Sequence, residues 1–64
     1  MPVDSMFKVD YQDRLGEWHY RIGGFLAEDM ALEAAKDISE EMRTKTRIVH
    51  ALSGQVRSVV EVLV

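Results

Sequence analysis

A strand that ends in paired glycines and leads into an acidic amphipathic helix is the feature that most constrains this sequence. Polar and apolar residues alternate around Trp18, Gly23 and Gly24 follow, and a helical pattern runs from about residue 27 to residue 42. At 100° per residue, seven apolar side chains of that segment fall within an arc of roughly 140°, the width of a stripe that packs on a core. These side chains are Ala27, Met30, Ala31, Ala34, Ala35, Ile38 and Met42. The strands on either side are therefore expected to pack on this helix.

The residues before the helix predict an antiparallel hairpin. Apolar and polar side chains alternate over residues 6–12, a polar run closed by a glycine occupies residues 13–16, and alternation resumes over residues 17–22. A period of two is typical of a strand with one buried face. The side chains expected on the inward face are Phe7, Val9, Tyr11, Trp18, Tyr20 and Ile22. The uncovered face is then expected to carry Lys8, His19 and Arg21.

A second hairpin is predicted after the helix. Strands at about residues 47–52 and 56–64 are separated by Ser53 and Gly54, a turn dipeptide. In the register that we expect, Val49 lies opposite Ser58 and His50 lies opposite Arg57. The predicted fold class is therefore α+β with the order ββαββ, in which two antiparallel hairpins form one four-stranded sheet and a single amphipathic helix packs on one face. Residues 1–5 are expected to be a flexible lead-in, and residues 6–64 a single domain.

Composition narrows the class of protein. A chain of 64 residues buries only roughly 60% of the surface that its unfolded form exposes, and it has no cysteine with which to form a disulfide. Neither histidine has a recognised metal-ligand spacing, so we expect no metal and no cofactor. No apolar run approaches the roughly 18 residues of a membrane span, and no secretion signal opens the chain. The sequence thus predicts a cytoplasmic protein without a membrane partner. Because disulfides and metals are not expected, self-association is the remaining way to stabilise so small a fold.

The last strand indicates how copies of the chain associate. Valines and a leucine occupy both of its faces, with few polar interruptions. A strand of this kind needs cover on both faces or along its edge, whereas one helix covers only one face of the sheet. We therefore expect a homodimer, with Val59 and Leu63 at its interface.

The helix carries an unusual row of like charges. Asp29, Glu33, Asp37 and Glu41 follow one another at a spacing of four residues, which brings acids together on one side of a helix. Residues 26–42 have a charge of −5 within a total of −3, so the rest of the chain carries +2. This row either keeps a small protein soluble or forms a docking surface for a basic partner.

The residue types give little support to catalysis. There is no thiol, no serine lies in a nucleophile motif, and no pocket-forming pattern accompanies the two histidines. We therefore predict that the protein is not an enzyme. A remote alternative is a small oligomeric enzyme that uses the amine of Pro2, or His19, as its base.

The function predicted from the sequence is that of a small regulatory or interaction module, of the kind encoded by accessory genes of bacteria and phages. The candidate partner-binding surfaces are the acidic helix row and the uncovered sheet face with His19, Arg21, His50 and Arg57. An alternative is a nucleic-acid-binding module that uses Lys8, Arg21 and Arg57 on that face. The predicted inward position of the aromatic residues argues against this alternative, because single-strand binders stack bases on aromatic rings.

Overall fold

The computed structural model describes residues 6–62, which form one antiparallel sheet and one helix. The elements are β1 (Phe7–Gln12), β2 (Trp18–Phe25), α1 (Glu28–Met42), β3 (Thr46–His50) and β4 (Val56–Val60). The predicted α+β class and ββαββ order are confirmed. The predicted lead-in and Leu63 lie outside the described residues.

The two hairpins join through their first strands. The strand order is β2-β1-β3-β4, and every neighbouring pair is antiparallel. β1 and β3 are therefore the central strands, while β2 and β4 are the two outer strands.

The core lies between α1 and the central strands. Val9 and Ile48 are fully buried beneath Ala31 and Ala35, whose small side chains let the helix approach the sheet closely. The hydroxyl of Thr46 donates a hydrogen bond of 3.0 Å to the carbonyl oxygen of Ala35 and ties β3 directly to the helix. Phe7 and Ile38 complete this cluster.

The helix lies close to its predicted position but is rotated about its axis. Met30 is 57% exposed, although it was predicted to face the core, and Ser39 is buried instead. Ser39 tolerates burial because its hydroxyl donates a hydrogen bond of 2.7 Å to the carbonyl oxygen of Thr44. The buried stripe therefore turns towards Ser39 and away from Met30. Met42 lies in the last turn of the helix and is 39% exposed.

The first hairpin has a different register from the predicted one. Gln12 pairs with Trp18, so five residues separate the strands where a four-residue loop was expected. A shift of one residue moves every side chain of a strand to the other face of the sheet. The predicted inward position of Trp18 and Tyr20 is therefore wrong. Two bulges farther along β2 return Ile22 and Phe25 to the face of the helix.

The second hairpin is also bulged. Val49 pairs with Val56, and Ile48 pairs with Ser58, which leaves Arg57 as the extra residue of β4. The predicted pairings of Val49 with Ser58 and of His50 with Arg57 are therefore both wrong. The turn closes with a hydrogen bond of 2.8 Å from the amide of Gly54 to the carbonyl oxygen of His50.

Candidate interaction surface

The sheet face turned away from α1, called the open face below, receives side chains from all four strands. Residues directly opposite in an antiparallel pair share a face. Thr46 points to the helix, so its neighbour Arg47 and the residues paired with Arg47, namely Asp10 and Val59, lie on the other side. By the same pairing, the open face carries Lys8, Asp10, Gln12, Trp18, Tyr20, Arg47, Val49, Val56 and Val59.

Arg47 connects an aromatic ring with a buried carboxylate at the centre of this face. Its guanidinium carbon lies 4.6 Å from the centre of the Trp18 ring, and its Nε donates a hydrogen bond of 3.1 Å to Oδ2 of Asp10. The side chain of Asp10 is only 5% exposed, so the guanidinium offsets part of the cost of removing this carboxylate from water. Arg47 thus reaches from β3 across β1 to Trp18 on β2, and this contact holds the indole against the sheet.

One carboxylate oxygen of Asp10 accepts no hydrogen bond from the described part of the chain. Oδ1 is buried and has no hydrogen-bond donor within residues 6–62, and Nζ of Lys8 lies 3.9 Å from it. A buried acceptor without a donor costs about 1–3 kcal/mol.

Exposed apolar groups surround this centre. Tyr20 is 63% exposed, Val56 44% and Val59 49%. The ammonium group of Lys8 lies 5.9 Å from the centre of the Tyr20 ring. The open face thus presents aromatic and aliphatic surface interleaved with cations and lies on the opposite side of the sheet from the acidic helix.

The turn between β1 and β2 forms a polar cluster on Asp13. The backbone amides of Leu15 and Glu17 each donate a hydrogen bond of 2.9 Å to its Oδ1, and Nε2 of His19 lies 2.6 Å from its Oδ2. Asp13, Glu17 and His19 place ligand atoms within 4.8 Å of one another. Turn closure and the His19 hydrogen bond account for this proximity.

Hydrogen bonding to His19 and to the amide of Glu17 lowers the pKa of Asp13 below its ordinary value of 3.8. A lowered pKa in the folded state means that the charged form adds stability above about pH 3.8 and that this contribution is lost as the pH falls through the folded-state value. Replacement of His19 by valine should therefore raise the pKa of Asp13 towards 3.8. NMR titration of the Asp13 carboxyl carbon would measure this change.

Glu17→Gln is the matched control for this titration, because it retains the backbone amide that binds Asp13 and removes only a nearby charge. A pKa of Asp13 that is the same in the parent and in His19→Val would show that His19 does not stabilise the charged carboxyl.

The acidic helix row is fully separate from the open face. Asp29, Glu33, Asp37 and Glu41 are all exposed, and none of the ion pairs seen among residues 6–62 involves them. The row is therefore a continuous exposed acidic surface.

The four basic side chains predicted to share the uncovered face do not gather there. His19 pairs with Tyr11 on the helix side, and the ring of His50 packs edge-on against Phe7, with 5.5 Å between ring centres. Arg57 reaches the first turn of α1, where its Nε lies 3.1 Å from Oε1 of Glu28. Arg21 is the extra residue of a bulge in β2. The loop length and the bulges, which alternation does not reveal, cause these differences.

Sequence reasoning missed the residues that do meet on the open face. Trp18, Tyr20 and Arg47 form its centre, and Asp10 supplies the buried charge. An aspartate at the start of the turn, able to bind two amides of a longer loop, was the signal that could have corrected the register.

One of the two remote catalytic candidates, Pro2, lies outside the described residues. The other, His19, is an exposed residue of β2 whose Nε2 lies 2.6 Å from Oδ2 of Asp13. A groove of about 380 Å³ lies between α1 and the end of β4. Its lining residues are Lys36, Ser39, Glu40, Arg43, Val60, Glu61 and Val62.

Comparisons with family models, with curated proteins and with solved structures give no match to this chain. Among residues 6–62, no helix has the length and apolar character needed to span a membrane.

Proposed function

We propose that this protein is a small non-catalytic interaction module that binds another protein through its open face. The observation that carries the proposal is the meeting of Trp18, Tyr20 and Arg47 on a sheet surface that α1 leaves uncovered. Tryptophan, tyrosine and arginine are the residue types that most often dominate the energy of protein interfaces.

The arrangement is ordered before any partner binds. Arg47 is held between Asp10 and Trp18, so a partner would meet an indole and a guanidinium that have already lost much of their conformational freedom. Ordering side chains in advance removes part of the entropy cost of association. The valines Val56 and Val59 extend the apolar contact towards the other edge of the sheet.

The partner is expected to be apolar at the centre of its contact surface. The two exposed valines and the exposed ring of Tyr20 require aliphatic or aromatic contact. The acidic helix row lies on the opposite side and would remain solvated in the complex.

Affinity capture from an extract of the source cells tests this proposal. Tyr20→Ala and Trp18→Ala should each weaken retention of the partner by at least about thirtyfold, the effect of an interface hot spot of roughly 2 kcal/mol. Leu15→Ala is the matched control, because Leu15 is 84% exposed but lies in the turn outside the open face. Circular dichroism would establish that the variants remain folded.

Charge reversal of the helix row separates the two candidate surfaces. The triple variant Asp29→Lys, Glu33→Lys and Asp37→Lys should retain the partner if the open face binds it. Loss of the partner in this variant, with full retention by Tyr20→Ala, would assign binding to the helix and refute the proposal.

Single-stranded nucleic acid is a second candidate ligand, supported by a specific observation. Trp18 and Tyr20 lie two residues apart on the same face of β2, with Arg47 and Lys8 beside them, and bases stack on such rings in single-strand binders. The net charge of −3 opposes this function. Binding of labelled oligothymidylate at low salt, lost in Tyr20→Ala, would favour it over a protein partner.

A further inference from the structure

We infer that Gly23 positions the ring of Tyr20 on the open face, because it lacks the side chain that would fill the space that this ring occupies. This role rests on the proposed function, in which Tyr20 is a main contact of the partner. It makes one glycine of β2 a positioning residue for the binding surface.

Gly23 is the residue of β2 that follows Tyr20 on the open face. Ile22 pairs with Val9 and faces the helix, so the next residue, Gly23, faces the open side. A β-carbon at position 23 would lie 2.9 Å from Oη of Tyr20 and 3.2 Å from Cε1 of the same ring. Non-bonded carbon atoms pack at about 3.5–4.0 Å. The edge of the Tyr20 ring therefore lies where any other residue at position 23 would place its side chain.

Space, rather than backbone conformation, explains the glycine at position 23. In the described part of the chain, the glycines with a positive φ are Gly16, Gly24 and Gly54, and Gly23 is not among them. Gly24 is the opposite case, since its φ is 88° and a β-carbon there would meet no atom within 4 Å. A glycine inside a strand weakens the strand and often marks a close approach by another group. At Gly23 that group is the tyrosine ring.

The ring of Tyr20 is connected to the centre of the open face through Lys8. A β-carbon at position 23 would also lie 3.3 Å from Cβ of Lys8, so both side chains meet at Gly23. Nζ of Lys8 lies 5.9 Å from the centre of the Tyr20 ring and 3.9 Å from Oδ1 of Asp10. A ring displaced by a methyl group would lose its position over the ammonium group. Gly23 thus sets the place of Tyr20 relative to the buried carboxylate.

Proton NMR of the full chain tests this position without any partner. The parent should show nuclear Overhauser effects between the α-protons of Gly23 and the ring protons of Tyr20. The ring current of Tyr20 should also shift the side-chain resonances of Lys8, and Tyr20→Ala gives their values without the ring. In Gly23→Ala these resonances should move most of the way to the Tyr20→Ala values, because the methyl group displaces the ring.

Gly24→Ala is the matched control, because it makes the same change at the neighbouring glycine. It strains the backbone at a positive φ and should lower the midpoint of thermal unfolding. It should nevertheless keep the Overhauser effects between Gly23 and the Tyr20 ring. The position of the ring is therefore measured separately from the stability of the fold.

The affinity capture described above gives a second, functional measurement. Gly23→Ala should weaken retention of the protein that the parent captures by about tenfold, which lies within the range for coupled residues in contact. In the Tyr20→Ala background the same change should have no further effect, because the ring that it displaces is already absent.

An unchanged Lys8 spectrum in folded Gly23→Ala would overturn the inference. So would equal losses of retention from Gly23→Ala with and without the Tyr20 ring. If Gly23→Ala does not fold, the double variant Y20A/G23A should recover a folded spectrum, and its failure to do so would refute the role of the ring. Full retention by Tyr20→Ala would instead refute the proposed function, and the NMR spectra would still decide whether Gly23 positions the ring.

Discussion

Replacement of Ile48 by alanine is expected to destabilise the fold by about 2–5 kcal/mol, the range for removing a large aliphatic side chain from a closed core. Ile48 is fully buried at the centre of β3, between β1 and α1. A single core in a domain of fewer than roughly 70 residues seldom supplies more than about 3–5 kcal/mol. This variant should therefore lose most of the stability of the parent.

Urea unfolding followed by far-ultraviolet circular dichroism would measure the effect of Ile48→Ala. Leu52→Ala is the control, because Leu52 is 66% exposed in the turn of the second hairpin and should change the free energy of unfolding by less than about 0.5 kcal/mol. Similar losses for the two variants would contradict the position of the core described above.

Replacement of Ala35 by leucine should be the second most damaging change. Ala35 is fully buried where α1 crosses the sheet, and its carbonyl oxygen accepts a hydrogen bond from the hydroxyl of Thr46. Three additional carbon atoms cannot fit without moving the helix away from β3, and overpacking typically costs about 1–3 kcal/mol. The shift would also lengthen the hydrogen bond from Thr46.

Lys36→Leu serves as the control for the change at Ala35. It places the same side chain on the next residue of the same helix, where the position is exposed, and leucine and lysine have similar helix propensities. Thermal unfolding should show a clearly lower midpoint for Ala35→Leu and little change for Lys36→Leu. Equal midpoints would show that the space beneath Ala35 accommodates a large side chain.

The helix and the order of the elements could be predicted because they depend on local patterns. A sustained stripe of alanines around Ile38 at helical spacing predicts a helix, and α1 forms there. The rotation of the stripe could not be predicted from hydrophobicity, because Ser39 becomes buried through a hydrogen bond to Thr44 that exists only after the helix ends.

The sequence did not predict the open face because the loop between β1 and β2 is one residue longer than expected. Trp18 and Tyr20 are the kind of side chains that normally face a core, and a four-residue turn would have placed them there. The side chain of Asp13 instead closes a five-residue loop through the amides of Leu15 and Glu17, and alternation then puts both rings on the uncovered side. The position of Trp18 and Tyr20 at the candidate site is therefore set by the hydrogen bonds of the turn and could not be predicted from the alternation of the strands.

The strand order has a consequence for how quickly the chain reaches its native structure. In the described sheet, β1–β2 and β3–β4 are pairings between neighbours in the sequence, and β1–β3 is the one that closes a long loop. Local contacts form quickly, whereas distant ones must overcome the entropy of loop closure. We expect the two hairpins and a nascent helix to form first, and the pairing of β1 with β3 to be the slow step. Substitutions at Val9 and Ile48, which face each other across that junction, should then slow folding more than they speed unfolding.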